Sequence, residues 1–219
     1  MEDLTINDGV IHVVGAADKN MTVAQASLAH IYRRNGEGIF SRATHDHDTV
    51  QPDKDTFYGN LSPAYSFAAQ AAEVEVDTDT GTVRLVRIVA ADDVGTPINP
   101  MAVEGQVEGS IGQAIGYALT EELIVEEGRL VNGNLADYTV PTAETVPPIE
   151  TILVDVSDPN GPFGAKGGSE CPFSPTAGAI ANAVYDAVGV RVTSLPITAE
   201  KVLRGLKDLP RAAEGPRHA

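Results

Sequence analysis

Residues 72–77, Ala-Glu-Val-Glu-Val-Asp, alternate small or apolar with acidic side chains, and residues 83–90, Val-Arg-Leu-Val-Arg-Ile-Val-Ala, resume the apolar signal beyond Thr80-Gly81. Alternation with a period of two sends successive side chains to opposite faces of a strand. Two such runs joined by a short Gly-containing turn predict a β-hairpin with one buried face. The acids Glu73, Glu75 and Asp77 then share the other face. That pattern fits a solvated or partner-facing surface better than a pair of catalytic carboxylates.

Downstream the period changes. Val103, Val107, Ile111, Ala114, Ile115 and Ala118 recur at helical spacing after Asn99-Pro100. Asn suits an N-cap and Pro the first helical position, so a helix of about 20 residues is expected. Gly105, Gly109, Gly112 and Gly116 recur on it every three or four residues. Each weakens a helix by up to about 1 kcal/mol relative to Ala, which points to close approach of another backbone or of a ligand near Gln106. A second hairpin is expected over residues 123–131, turning at Glu127-Gly128, and a strand over 149–156. Ala177, Ile180, Ala181, Val184, Ala187 and Val188 make another helical stripe, stopped by Gly189. A short strand at Val190–Val192 and a helix capped by Thr198 follow. Upstream, Gly9 and Gly15 bracket a strand over 10–14, and Thr22 with Gln25 forms a capping box for a helix reaching about Arg34. Residues 35–64 read as irregular. The class is α+β, with mixed sheets, hairpins and packed helices. Neither a repeat nor a convincing internal linker divides it.

The 219 residues carry 15 basic and 31 acidic side chains, a formal charge of −16. Such a surface repels nucleic-acid phosphates and anionic lipid, so neither is expected as a partner. The single cysteine, Cys171, cannot make an internal disulfide or by itself hold an iron–sulfur cluster. No apolar run is long enough for a membrane span, and the N-terminus lacks signal-peptide character, so a cytoplasmic protein is expected.

The richest local candidate for chemistry is the loop Pro159-Asn-Gly-Pro-Phe-Gly-Ala-Lys-Gly-Gly-Ser-Glu170. Glycines let backbone N–H groups converge on a ligand, and the loop ends in a carboxylate just before a helix. Glu170 is thereby placed as a general base, against the alternative of a solvated acid on a flexible loop. His45 and His47 could share a metal, but no third ligand is anchored near them. Nothing in the sequence supplies a base for Cys171.

Several stretches together carry a family resemblance. They are residues 60–70 (Asn-Leu-Ser-Pro-Ala-Tyr-Ser-Phe-Ala-Ala-Gln), 72–77, 91–100 (Ala-Asp-Asp-Val-Gly-Thr-Pro-Ile-Asn-Pro), 104–109, 116–122, 134–141, 164–170, 179–183, 185–186 and 195–198. In this order the chain resembles the C-terminal part of the molybdenum-binding subunit of the xanthine dehydrogenase/aldehyde oxidase family. The resemblance implies the fold of that subunit's C-terminal molybdopterin-binding domain over residues 1–208, with a tail at 209–219. It implies a molybdenum-bearing molybdopterin, as such or as its cytosine dinucleotide, and oxidation of an aldehyde, N-heterocycle or aromatic acyl-CoA with water as oxygen source. Iron–sulfur clusters and FAD are expected on partner chains, and the upstream half of the subunit on another chain, making this a split subunit or a fragment. Glu170 occupies the position of the family's catalytic base. Gly167, Gly168 and Ser169 would line the metal, and Gln106 matches a pterin-contacting position. Two departures stand out: Ser169 replaces a usual Gly, and Cys171-Pro172 a usual Pro-Pro. A non-catalytic assembly module or inactive fragment is the alternative.

Overall fold

The structure, a computed structural model, describes residues 3–46 and 49–209 and divides into two compact units, residues 1–46 and 47–219. The first unit is an antiparallel three-stranded sheet, β1 (Leu4–Asn7), β2 (Val10–Val13) and β3 (Ala16–Thr22), followed by α1 (Val23–Arg33). The strand expected at 10–14 is thus the middle of a meander. Gly9 and Gly15 sit at its turns with φ of 74° and 80°, which glycine adopts without strain. The capping box forms as expected: Thr22 Oγ1 accepts from Gln25 N–H and Gln25 Oε1 accepts from Thr22 N–H.

The second unit is built on a three-stranded sheet. The decisive hairpin is β4 (Phe67–Val76) and β5 (Val83–Asp93), longer than its alternating run because the small residues of 67–72 also pair. Asp77 accepts from the N–H groups of Asp79 and Thr80, fixing the turn, and Gly81 takes a φ of 78°. Glu73 and Glu75 stand opposite Arg87 and Arg84 and pair with them at 3.6 and 2.5 Å. The acidic stripe is therefore a solvated face neutralised by its neighbouring strand.

After α2 (Pro100–Leu119) and the small hairpin β6 (Val125–Glu126) and β7 (Arg129–Leu130), the chain returns as β8 (Ile149–Val154), parallel to β5. Parallel pairing needs such a crossover. The inner face of β5, Leu85, Ile88 and Ala90, packs with Val107, Ile111, Ile115 and Ala118 of α2. Ile180 and Val184 of α3 (Phe173–Val188) and Val202 of α4 (Ala199–Asp208) complete the core. Asn99 caps α2, Gly189 ends α3 in the left-handed region, and Thr198 caps α4.

The expected strand at Val190–Val192 does not form: these residues are irregular. Their apolar alternation reflects burial of Val190 and packing of Val192 against the core, without a neighbouring strand to bond. Among the described residues no helix is long and apolar enough to cross a membrane. The tail residues 210–219 lie outside the described residues.

Candidate functional site

The glycine-rich loop is tied to the C-terminal end of β5. Lys166 N–H donates to Val94 O at 2.8 Å and Thr96 N–H donates to Gly164 O at 2.9 Å. Gly95 bridges Ala165 so closely that a Cβ on Gly95 would collide with the Gly164 carbonyl. The segment 162–164 turns as a single 3-10 turn, with Gly164 at a φ of 86°. Lys166 Nζ lies 2.6 Å from Asp93 Oδ2, and both side chains are largely buried. The Lys166 hydrogen bond holds the Asp93 carboxyl below its ordinary range.

Beyond Lys166 the loop is gripped by serines from distant elements. Ser66 Oγ donates to Gly167 O at 2.6 Å, and Ser110 of α2 donates to the carbonyl of Ser169. Glu170 and Cys171 then bend into the first turn of α3. Gln70 Nε2 donates to Pro172 O at 2.7 Å, and Thr176 Oγ1 donates to Gln70 Oε1 at 2.8 Å, fastening that turn to β4.

These contacts leave a cleft of about 560 Å³ between α2 and the loop. Glu170 and Ser169 line one side; Gly105, Gln106, Gly109, Ser110 and Gln113 line the other. Its volume falls in the range of small-molecule sites. Gln106 and Ser169 also line an adjoining cleft of about 280 Å³ that includes Gly168 and Lys166. Of the residues singled out from sequence, Glu170, Gln106 and Ser169 thus converge. Gly168 borders the second cleft, and Gly167 lines neither, its carbonyl being held by Ser66.

The four helix glycines divide into two roles. A Cβ on Gly116 would collide with Glu121 and Pro141, and one on Gly112 would touch Val146, so these two serve packing. A Cβ on Gly105 or Gly109 meets nothing within 4 Å. Those two leave a bare helix face on the cleft. The lining chemistry fits a pterin: neutral amides and hydroxyls from Gln106, Gln113, Ser110 and Ser169 can meet the donor and acceptor edge of a heterocycle. Open space over a helix backbone admits its flat ring.

Burial pushes the Cys171 thiol up. That opposes a nucleophilic role. Of the histidine pair, His47 lies outside the described residues, and among those described no group of three metal-ligating side chains gathers. Sequence reasoning assigned no role to Lys166, Ser66, Ser110 or Asp92. Adjacent acids ending an apolar strand at 92–93 were the available signal for the ion pair. A larger, more apolar cleft of about 760 Å³ lies by the first residues of β5, under residues 139–148. It contains none of the residues expected to act.

The sequence pattern of a molybdopterin cofactor-binding domain matches residues 1–147. The molybdenum-binding subunit PaoC of an aldehyde oxidoreductase from Escherichia coli K12 is 40% identical over 158 residues, 69% of this chain and 22% of the relative. The gamma subunit of the 6-hydroxypseudooxynicotine dehydrogenase complex of Paenarthrobacter nicotinovorans is 31% identical over 96% of this chain and 26% of its own. The crystal structure of quinoline 2-oxidoreductase from Pseudomonas putida 86 superposes with a TM-score of 0.76 at 33% identity, over 95% of this chain and 26% of that one. The chain therefore spans about a quarter of the length of the relatives it matches. On this sequence match and this fold, the chain belongs to the molybdopterin cofactor-binding domain family, of the kind found in molybdenum-binding subunits of xanthine dehydrogenases and aldehyde oxidoreductases.

Proposed function

We propose that residues 1–208 are the C-terminal molybdopterin-binding part of a molybdenum hydroxylase acting on an aldehyde, N-heterocycle or aromatic acyl-CoA, with water as oxygen source. The supporting observation is that Glu170 shares one cleft with Gln106 and Ser169, facing the bare glycine face of α2. Gln106 and Ser169 offer an amide and a hydroxyl to the pterin, in its plain or cytosine dinucleotide form. Gly167 and Gly168 would keep the loop beside the metal free of side chains. When bound, the cofactor supplies two-electron redox chemistry. Glu170 supplies a carboxylate that accepts a proton, and the loop holds that carboxylate at the cleft wall. Iron–sulfur clusters and FAD on partner chains would accept the electrons, and a further chain would carry the upstream half of the subunit. Among the described residues no helix is long and apolar enough to cross a membrane; the compartment we propose is the cytoplasm.

Co-expression with the chain that completes the subunit tests this. Glu170→Gln should keep molybdenum content and lower turnover by about two orders of magnitude or more, the usual scale for a lost general base. Near-normal turnover removes Glu170 from the role. A well-folded complex without molybdenum leaves the non-catalytic assembly module as the better reading.

A further inference from the structure

Asp92 is 1% exposed, and neither of its carboxylate oxygens has a hydrogen-bond partner from the chain. It continues the inner face of β5 after Ile88 and Ala90, where apolar packing would be expected. The only other buried side-chain atom left unpaired among the described residues is Thr151 Oγ1. In the β5–β8 register Asp92 stands opposite Leu153 and Ala90 opposite Thr151. Thr151 is therefore the diagonal neighbour of Asp92 on the same sheet face. From the strand spacing and the rise over two residues, such neighbours stand roughly 8 Å apart at the backbone, a span suited to one bridging molecule rather than a direct bond. Two orphaned buried groups at that spacing are the usual setting of an internal water, which typically makes about three hydrogen bonds.

The position matters because of what lies next to it. Asp92 pairs with Ala68 of β4, and Gln70, two residues along, holds the Pro172 carbonyl. Asp92 also lies within electrostatic reach of the Cys171 thiol. Asp92 thus sits directly behind the Glu170–Pro172 turn. Around this face β4 presents Ala68 and Gln70, β8 presents Thr151 and Leu153, and α3 presents Thr176. The titratable groups of the turn are Glu170 and Cys171, and the other residues of this face carry none. Lys166, the cation at this strand end, is committed to Asp93 on the opposite face. An ionised carboxylate here would be desolvated without a counter-ion, which is far costlier than a neutral acid. Burial accordingly pushes the Asp92 carboxyl up.

We propose that Asp92, as a neutral carboxylic acid, and Thr151 together hold an internal water behind the turn that carries Glu170, and that this makes Asp92 a positioning residue for that carboxylate. The acid donates its proton to the water, and the water reaches Thr151 Oγ1. The consequence for turnover rests on Glu170 being the base; the neutral acid and the fixed turn do not.

The test uses the assembled enzyme with Asp92→Asn, Asp92→Leu and Thr151→Val. Isotope-edited infrared spectra with labelled aspartate carboxyls should contain an un-ionised carboxyl band at neutral pH that disappears in Asp92→Asn. Amide hydrogen exchange over residues 168–173 should stay slow in Asp92→Asn and rise about tenfold in Asp92→Leu, the scale of one lost buried hydrogen bond, with a smaller rise in Thr151→Val. In Asp92→Leu kcat should fall at unchanged KM and molybdenum content, and Asp92→Asn should recover it. Absence of the un-ionised band, or unchanged exchange of the turn in Asp92→Leu, overturns the proposal. Altered exchange with unaltered kcat in Asp92→Leu keeps the fixed turn and overturns the positioning role, while the reading of Glu170 as base stands or falls on Glu170→Gln.

Discussion

At the scale of single residues, the site depends on a buried ion pair that no motif names. Lys166 reaches Asp93 at 2.6 Å and anchors the loop that ends in Glu170. Removing one partner of a buried pair strands the other charge. Lys166→Met should therefore destabilise the fold by about 3 kcal/mol at pH 7, read as a shift in the denaturant midpoint. The sign with pH follows from the lowered Asp93 value. In the parent chain its contribution is present above the ordinary aspartate range and is lost as pH falls through the lowered native value. In the variant, Asp93 has no cation and protonates readily. The gap between the two chains should thus shrink as the solution is acidified towards pH 4. A gap that widens on acidification would contradict the pairing. This residue's role was not legible in the sequence, because its partner lies 73 positions away. Glu170, by contrast, stood out because it ends a glycine-rich loop before a helix.

At the scale of elements, local signals read through well. The hairpin, the Asn99-Pro100 start of α2, the capping box at Thr22 and the Gly189 stop were visible because each depends on residues a few positions apart. The parallel docking of β8 on β5 was not, because register between strands some 60 residues apart leaves no local trace. Val190–Val192 misled for the matching reason: alternation reports burial, and only a partner strand makes it a β-strand. The glycines of α2 looked equivalent in sequence, and only packing separates them. Gly105→Ala and Gly109→Ala should each stabilise the apo chain by up to about 1 kcal/mol, since the added methyl meets open space and helix propensity improves. Leu at the same positions should preserve folding yet lower molybdenum content of the assembled enzyme, because the side chain would stand in the cleft. Thermal midpoints and metal analysis check the two effects separately. Unchanged metal content in Gly109→Leu would mean that the bare face of α2 is not used by the cofactor.

At the scale of the whole molecule, the first unit stands out. None of its described side chains is buried, and Leu4, Ile6, Val14, Met21, Leu28 and Tyr32 are largely exposed. A unit of about 45 residues rarely buries enough apolar surface to hold itself together. Expressed alone, the chain should self-associate despite its charge of −16, eluting from size-exclusion chromatography well ahead of a 22.9 kDa standard. Co-expression with the completing chain should abolish the early peak. A stable, monodisperse monomer would show that these side chains need no cover. Composition made the acidic surface legible at once, whereas the lack of a core emerged only from the way three short strands and α1 are laid out.

The clamps on the Glu170 loop join residues far apart in the chain: Ser66 with Gly167, Gln70 with Pro172, Ser110 with Ser169. Closing spans of that length costs entropy before any contact repays it. On refolding, the β4–β5 hairpin and the helices should therefore consolidate early, while the Glu170 side of the cleft assembles last. Pulse-labelling the amides of residues 164–172 should find them protected after those of 85–92. A nascent or thermally stressed chain would then lose its ability to retain a cofactor before its secondary structure changes.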